Sequence, residues 1–221
     1  KIFEEERELT VMLLIDVSAS GFFGTTNQFK KDTATEIAAV LSFSAIQNND
    51  KVGVIFFSDQ IEKFIPPKKG RSHILRIIRE LLDFEPEQQG TDIGLALEYL
   101  NNVIKKRSIC FILSDFISKA YENPLRIAAR RHDIVGIQIN DRREKELPNV
   151  GLIRALDPET GKTRWLDTGS KNVRENYANW YQEHYQYFKN MFLKSGADSV
   201  SIQTDESYVN ILLKFFQKRG R

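Results

Sequence analysis

VMLLIDVSAS, residues 11–20, decides how the rest of the chain is read. An apolar run ends at Asp16, and two hydroxyls follow at alternate positions, Ser18 and Ser20. Side chains of an extended strand alternate with a period of two, so a strand that stays extended as it leaves its sheet puts Asp16, Ser18 and Ser20 on one side. One carboxylate and two hydroxyls then converge at the carboxyl end of a buried strand. Hard divalent cations take oxygen ligands, and magnesium takes a near-octahedral set that includes waters. The stretch points to a metal ion at a strand end, with further ligands to come from elsewhere.

Outward from it, strand patterns alternate with helix patterns. A charged arm, KIFEEERE at 1–8, leads into the first strand at 9–16, and GFFGTTNQF at 21–29 is a loop. A helix is expected over 30–48, with Ile37, Val40, Leu41, Ser44 and Ala45 as its stripe. KVGVIFFS at 51–58 and IEKFI at 61–65 read as a strand hairpin that Pro66–Pro67 ends. A helix over 72–83 presents Ile74, Leu75, Ile78 and Leu81–Leu82, and EPEQQG at 85–90 is a polar loop. Thr91 opens a helix, TDIGLALEYLNNVI, with Ile93, Leu97, Leu100 and Ile104 on its apolar side. SICFIL at 108–113 is apolar throughout, as a central parallel strand is, and ends in Ser114–Asp115–Phe116. A helix at 122–131, a strand at 133–139, a hairpin of 150–157 with 162–167, a helix at 171–194, a strand at 198–204 and a helix at 206–218 complete the chain.

This order predicts an α/β fold with a doubly wound, mostly parallel sheet flanked by helices, one antiparallel edge strand and an added β-hairpin at 150–167. Residues 1–221 are expected to form a single domain, and the start at Lys1 rather than methionine suits a piece of a longer protein. Ligands of such sheets bind at the carboxyl ends of the strands, near a switch in strand order.

The bulk composition is that of a folded globular domain, at 41% hydrophobic and 28% charged residues. Net charge is +2, from 32 basic against 30 acidic residues, with no polybasic face, which argues against nucleic acid as a partner. Cys110 is the only cysteine and cannot form an internal disulfide, as suits a reducing compartment. No stretch reaches the roughly 18–20 apolar residues of a membrane helix, and no signal peptide is visible. A cytoplasmic protein is the expectation, with no membrane contact from this segment.

Three strand or loop ends thus carry oxygen groups to one rim: Asp16/Ser18/Ser20, Thr91 and Asp115. Two carboxylates leave a divalent cation close to neutral, and hydroxyls add ligands without charge. Such a metal keeps an affinity for one more anion, and a carboxylate of another molecule is the obvious candidate. Taken singly, Ser18 and Ser20 also suit turns, Thr91 a helix N-cap and Asp115 the cap of a short turn.

DVSAS, the threonine of GTDIGLAL and the aspartate of ILSDF resemble the three parts of the metal-ion-dependent adhesion site of von Willebrand factor A (VWA, integrin I-like) domains. They come in that family's chain order, and the likeness covers at least residues 9–139. FEEERELTVMLLIDVSAS and the later DPETG resemble more narrowly a bacterial VWA-containing family of unknown function found alongside MoxR-type AAA+ ATPases. The resemblance implies a VWA/Rossmann-like fold that binds magnesium or manganese. It implies direct coordination by Ser18 and Ser20, by Thr91 directly or through water, and by Asp16 and Asp115 largely through water. It implies a protein partner whose Asp or Glu completes the site, with a MoxR-type ATPase as a candidate. Gly21, where many members carry methionine, Phe22, Phe23, Asp92 and Phe116 are the expected partner-binding rim.

Other chemistries fit less well. Gly21–Phe22–Phe23–Gly24 lacks the GxxxxGK[ST] of a phosphate loop. A haloacid-dehalogenase-like phosphatase needs a second carboxylate two residues after its nucleophile, where this chain has Ser18, and a receiver-type phospho-acceptor wants an acidic cluster and a lysine. A metal-dependent phosphohydrolase or phosphotransferase using Asp16 stays as the competing class, against a non-enzymatic binding module. His73, His132 and His184 lack metal spacing, and Cys110 lies mid-strand. Tyr177, Trp180, Tyr181, His184, Phe188 and Phe192 form a stripe suited to a core. The terminal LLKFFQKRGR reads as an amphipathic helix with a basic end.

Overall fold

The computed structural model describes residues 8–18, 29–87, 90–118, 120–156 and 163–219. The elements run β1 (Thr10–Asp16), α1 (Lys30–Gln47), β2 (Lys51–Phe57), β3 (Ile61–Lys68), α2 (Arg71–Asp83), α3 (Ile93–Val103), β4 (Ile109–Ser114), α4 (Glu122–Arg131), β5 (Asp133–Asn140), β6 (Leu152–Leu156), β7 (Thr163–Asp167), α5 (Lys171–Ser195), β8 (Asp198–Gln203) and α6 (Tyr208–Arg219). Six strands form one sheet in the order β3-β2-β1-β4-β5-β8, and β6 with β7 forms a separate two-stranded sheet. Every pairing in the large sheet is parallel except that of β2 with β3. This is the doubly wound arrangement expected from the sequence, antiparallel edge and added hairpin included.

Alternation along the strands builds two cores. Val11, Leu13 and Ile15 of β1 join Phe111 and Leu113 of β4 on the face covered by α1, α2 and α6. Met12 and Leu14 join Cys110 and Ile112 on the opposite face, under α3, α4 and α5. Strands buried on both faces read as continuous apolar runs, as VMLLI and ICFIL do. On the second face Gly136 lets α5 approach closely: a Cβ there would lie 2.5 Å from Cζ of Phe192 and 3.0 Å from Cε2 of Phe188.

Three expectations shift. Strand β3 continues through Pro66–Pro67 to Lys68, because an edge strand tolerates residues without an N–H. A bulge absorbs them: Ile65 pairs with Val54 and Lys68 with Val52, three steps against two. Helix α1 buries Lys30, Ala34, Ile37, Ala38, Leu41 and Ala45, while Val40 and Ser44 face outward. Helix α2 buries Ile74, Ile77 and Leu81 and leaves Leu75 and Leu82 exposed. Apolar Val40, Leu75 and Leu82 lie on the flanks of their stripes, where periodicity alone draws the face too wide.

Strand β1 runs to β2 on one side and has β4 on the other, so the switch in strand order falls between β1 and β4. Asp16 ends the first of these strands, and Asp115 follows the second.

Candidate metal centre

Asp16 continues the row of Met12 and Leu14, and Ser114 that of Cys110 and Ile112, so the two meet on one face of the adjacent strand ends. Ser114 Oγ donates to Oδ2 of Asp16 at 2.6 Å. Beyond the strand the chain turns tightly, and the Ser18 N–H donates back to Oδ1 of Asp16 at 3.0 Å. Thr91 Oγ1 donates to Ser18 Oγ at 2.9 Å, both residues being buried. Thr91 is held in place from both sides: the Asp92 N–H donates to the Ser58 carbonyl at 2.8 Å, and Ser118 Oγ to the Thr91 carbonyl at 3.2 Å. Asp16, Ser18 and Thr91 are thereby joined in one chain of hydrogen bonds.

Asp115 lies one residue beyond Ser114, and the alternation turns it toward α1. Its Oδ1 accepts from the Ile117 N–H at 3.0 Å, and its Oδ2 accepts from Lys30 Nζ at 2.8 Å. Gln138 Nε2 donates to its backbone carbonyl at 3.1 Å. The same Lys30 ammonium donates to Oε1 of Glu144 at 2.6 Å. A cavity of about 20 Å³, the room of one water-sized sphere, lies among Asp16, Lys30, Ser114 and Asp115.

Burial pushes the Asp16 carboxyl up, and the neighbouring charge of Asp115 adds to it, to about 6, although hydrogen bonds from Ser114 and Ser18 pull the other way. A buried carboxyl whose ionisation is opposed by burial and by a neighbouring carboxylate, beside a small cavity and hydroxyls, makes a site that a small cation relieves. The donors are all hard oxygens, the chemistry of magnesium, manganese or calcium rather than of thiolate-preferring metals. Among the described residues no group of three or more His, Cys, Asp or Glu is placed to hold a metal, so any ion here depends on hydroxyls beside the two carboxylates. On these grounds the residues fit a divalent cation.

The structure thus brings together Asp16, Ser18, Thr91 and Asp115. Ser20, Gly21, Phe22 and Phe23 lie outside the described residues. Asp92, expected on the rim, is the N-cap of α3, accepting from the Leu95 N–H at 2.9 Å, and the helix begins at Ile93 rather than Thr91. Phe116 is not on a rim. It is 1% exposed, takes a left-handed φ of 61°, and packs against Phe188 at 4.3 Å between ring centroids and edge-to-face against Phe192 at 5.4 Å. The histidines stay structural: His73 Nε2 lies 2.9 Å from the Val52 carbonyl, and His132 pairs with Ser108 in the interior.

Lys30, Glu144, Ser114 and Ser118 belong to this neighbourhood and are not singled out by sequence patterns. Lys30 had a readable signal: one turn back along the buried stripe Ala34, Ile37–Ala38, Leu41 lands on it, and a lysine on a core stripe asks for a partner. Glu144 had none, since it reaches the site only through the fold.

Residues 1–187 match the family described as "Protein of unknown function DUF58". An uncharacterized protein of Mycobacterium tuberculosis is 28% identical over 219 residues, covering 98% of this chain and 69% of its own length. Among solved structures, the conserved hypothetical protein BatB from Bacteroides thetaiotaomicron superposes with a TM-score of 0.62 at 16% identity, covering 96% of this chain and 98% of that one. An aerotolerance-related membrane protein from Bacteroides fragilis superposes with a TM-score of 0.63 at 14% identity, over 95% and 97% of the two chains. The likeness to these structures is one of fold. It overturns the expectation of a cytoplasmic protein, because the same fold, over nearly its whole length, is found in a protein named for the membrane. Among the described residues no helix is long and apolar enough to cross one.

Proposed function

We propose that this chain, which belongs to the DUF58 family of proteins of unknown function, is a divalent-metal-dependent protein-interaction module of the VWA type. One observation carries the proposal: the hydrogen-bonded chain Asp16–Ser18–Thr91, with Asp115 beside it, stands at the switch between β1 and β4. Asp16, Ser18, Thr91 and Asp115, together with Ser20, would hold magnesium or manganese. The ion would supply a Lewis-acidic position for a carboxylate. The chain's own part is to keep that position short of anions: two carboxylates and neutral hydroxyls leave the ion wanting one more, and an Asp or Glu of a protein partner provides it. The resemblance to the MoxR-associated group offers a MoxR-type AAA+ ATPase as such a partner, in the assembly or maturation of other proteins.

A binding role, rather than turnover of a phosphate ester, is supported by how Asp16 is held. Both of its oxygens are engaged, by the Ser18 N–H and by Ser114 Oγ, which suits a fixed ligand better than a nucleophile. Capture from the native lysate, with magnesium or with chelator, on wild type and Asp115→Ala, tests the proposal. Proteins retained by the wild type in magnesium alone are expected, and recovery of the same proteins in every condition would contradict it.

A further inference from the structure

The first residue of α1 is a buried lysine, 4% exposed, and its ammonium spans two carboxylates from different parts of the sheet. Asp115 follows β4, and Glu144 lies in the short helical turn 142–144 after β5. Nζ is 2.8 Å from Asp115 and 2.6 Å from Glu144. Glu144 is itself fixed by the Asp141 N–H, 2.9 Å from its Oε2. Two carboxylates within hydrogen-bond distance give the buried ammonium its counter-charge. The same ammonium lines the small cavity that Asp16 and Asp115 also line. The chain therefore places an ammonium of its own where a divalent ion would compete for Asp115.

We propose that Lys30 is a positioning residue of the metal site: its ammonium holds Asp115 away from direct coordination and weakens divalent-ion binding, so that the metal stays dependent on a partner's carboxylate. This rests on the metal site proposed above. Lys30 and the Ile117 N–H each occupy one Asp115 oxygen, so a metal that bound this carboxylate directly would share an oxygen with the ammonium, whereas a bridging water keeps the two cations apart. Repulsion between a unit and a double charge a few ångströms apart, even with the full screening of bulk water, is worth roughly tenfold or more in affinity.

Calorimetric titration of the full chain with magnesium chloride, beside the metal-free melting midpoint, tests this on wild type, Lys30→Met and Lys30→Arg. Lys30→Met is expected to melt lower without metal, because Asp115 and Glu144 lose their counter-charge, and yet to bind magnesium about tenfold more tightly. Lys30→Arg should stay close to wild type in affinity. A lysine with only a structural role would let stability and affinity fall together. Should Lys30→Met not fold, Glu144→Gln answers instead: it leaves the ammonium less neutralised and is expected to weaken binding, and an unchanged affinity in it overturns the proposal. Binding by wild type that Lys30→Met does not improve overturns the role of Lys30 and leaves the metal site standing. Binding by Lys30→Met alone supports the role of Lys30 and overturns a metal site in the native chain. Binding by neither protein overturns both.

Discussion

Phe116 follows a carboxylate at a strand end, where an aromatic ring reads as an exposed anchor. The left-handed backbone at this residue turns the ring back under the sheet instead, onto Phe188, Phe192 and Tyr121. Phe116→Ala is therefore expected to cost about 3–5 kcal/mol in denaturant unfolding, as emptying a packed aromatic site does. A surface anchor would leave the unfolding midpoint unchanged. Asp16, Ser18, Thr91 and Asp115 are legible in the sequence because the ends of strands and the starts of helices are marked locally, although Ser18 reaches the site through a turn back onto Asp16 rather than by strand alternation. The direction of Phe116 is not legible, since nothing in ILSDF announces a positive φ. The Lys30–Glu144 pair joins residues far apart in the chain, and only the folded sheet brings them within 2.6 Å.

The helices show the same division one level up. Their positions follow from periodicity and end signals, and α4 runs over Glu122–Arg131, the span that the sequence predicts. Which side of a helix faces the sheet is less visible when small residues sit there. Helix α1 buries Ala34, Ala38 and Ala45 in preference to Val40, because alanines let the helix lie close to the strands. Close approach also governs α5, where Gly136 leaves room for Phe188 and Phe192. Gly136→Ala is expected to cost about 1–3 kcal/mol, the usual penalty of overpacking. Hydrogen exchange should report it as lost protection in α5 around Phe188 and Phe192, with α1 on the other face little changed. Equal loss in both helices would show that the contact is not local to α5.

For the molecule as a whole, the topology explains why the site stands where it does. A parallel sheet that winds outward in both directions leaves a crevice between its two starting strands, and β1 and β4 are those strands. The hairpin of β6 and β7 takes no part in this sheet, and Leu152 and Trp165 on it are exposed. Replacing residues 152–167 by a short turn is expected to leave the unfolding midpoint nearly unchanged, and a large drop in a melting curve would show that the hairpin braces the core. The fold was readable because β1 and β4 carry nearly continuous apolar runs and helix patterns alternate with the strands. The divalent ion is the claim on which the functional account depends. A calorimetric titration of wild type and Ser18→Ala with magnesium tests it most directly. Saturable binding to the wild type that Ser18→Ala loses is expected, and equal heats from the two proteins would rule out a metal held by Ser18.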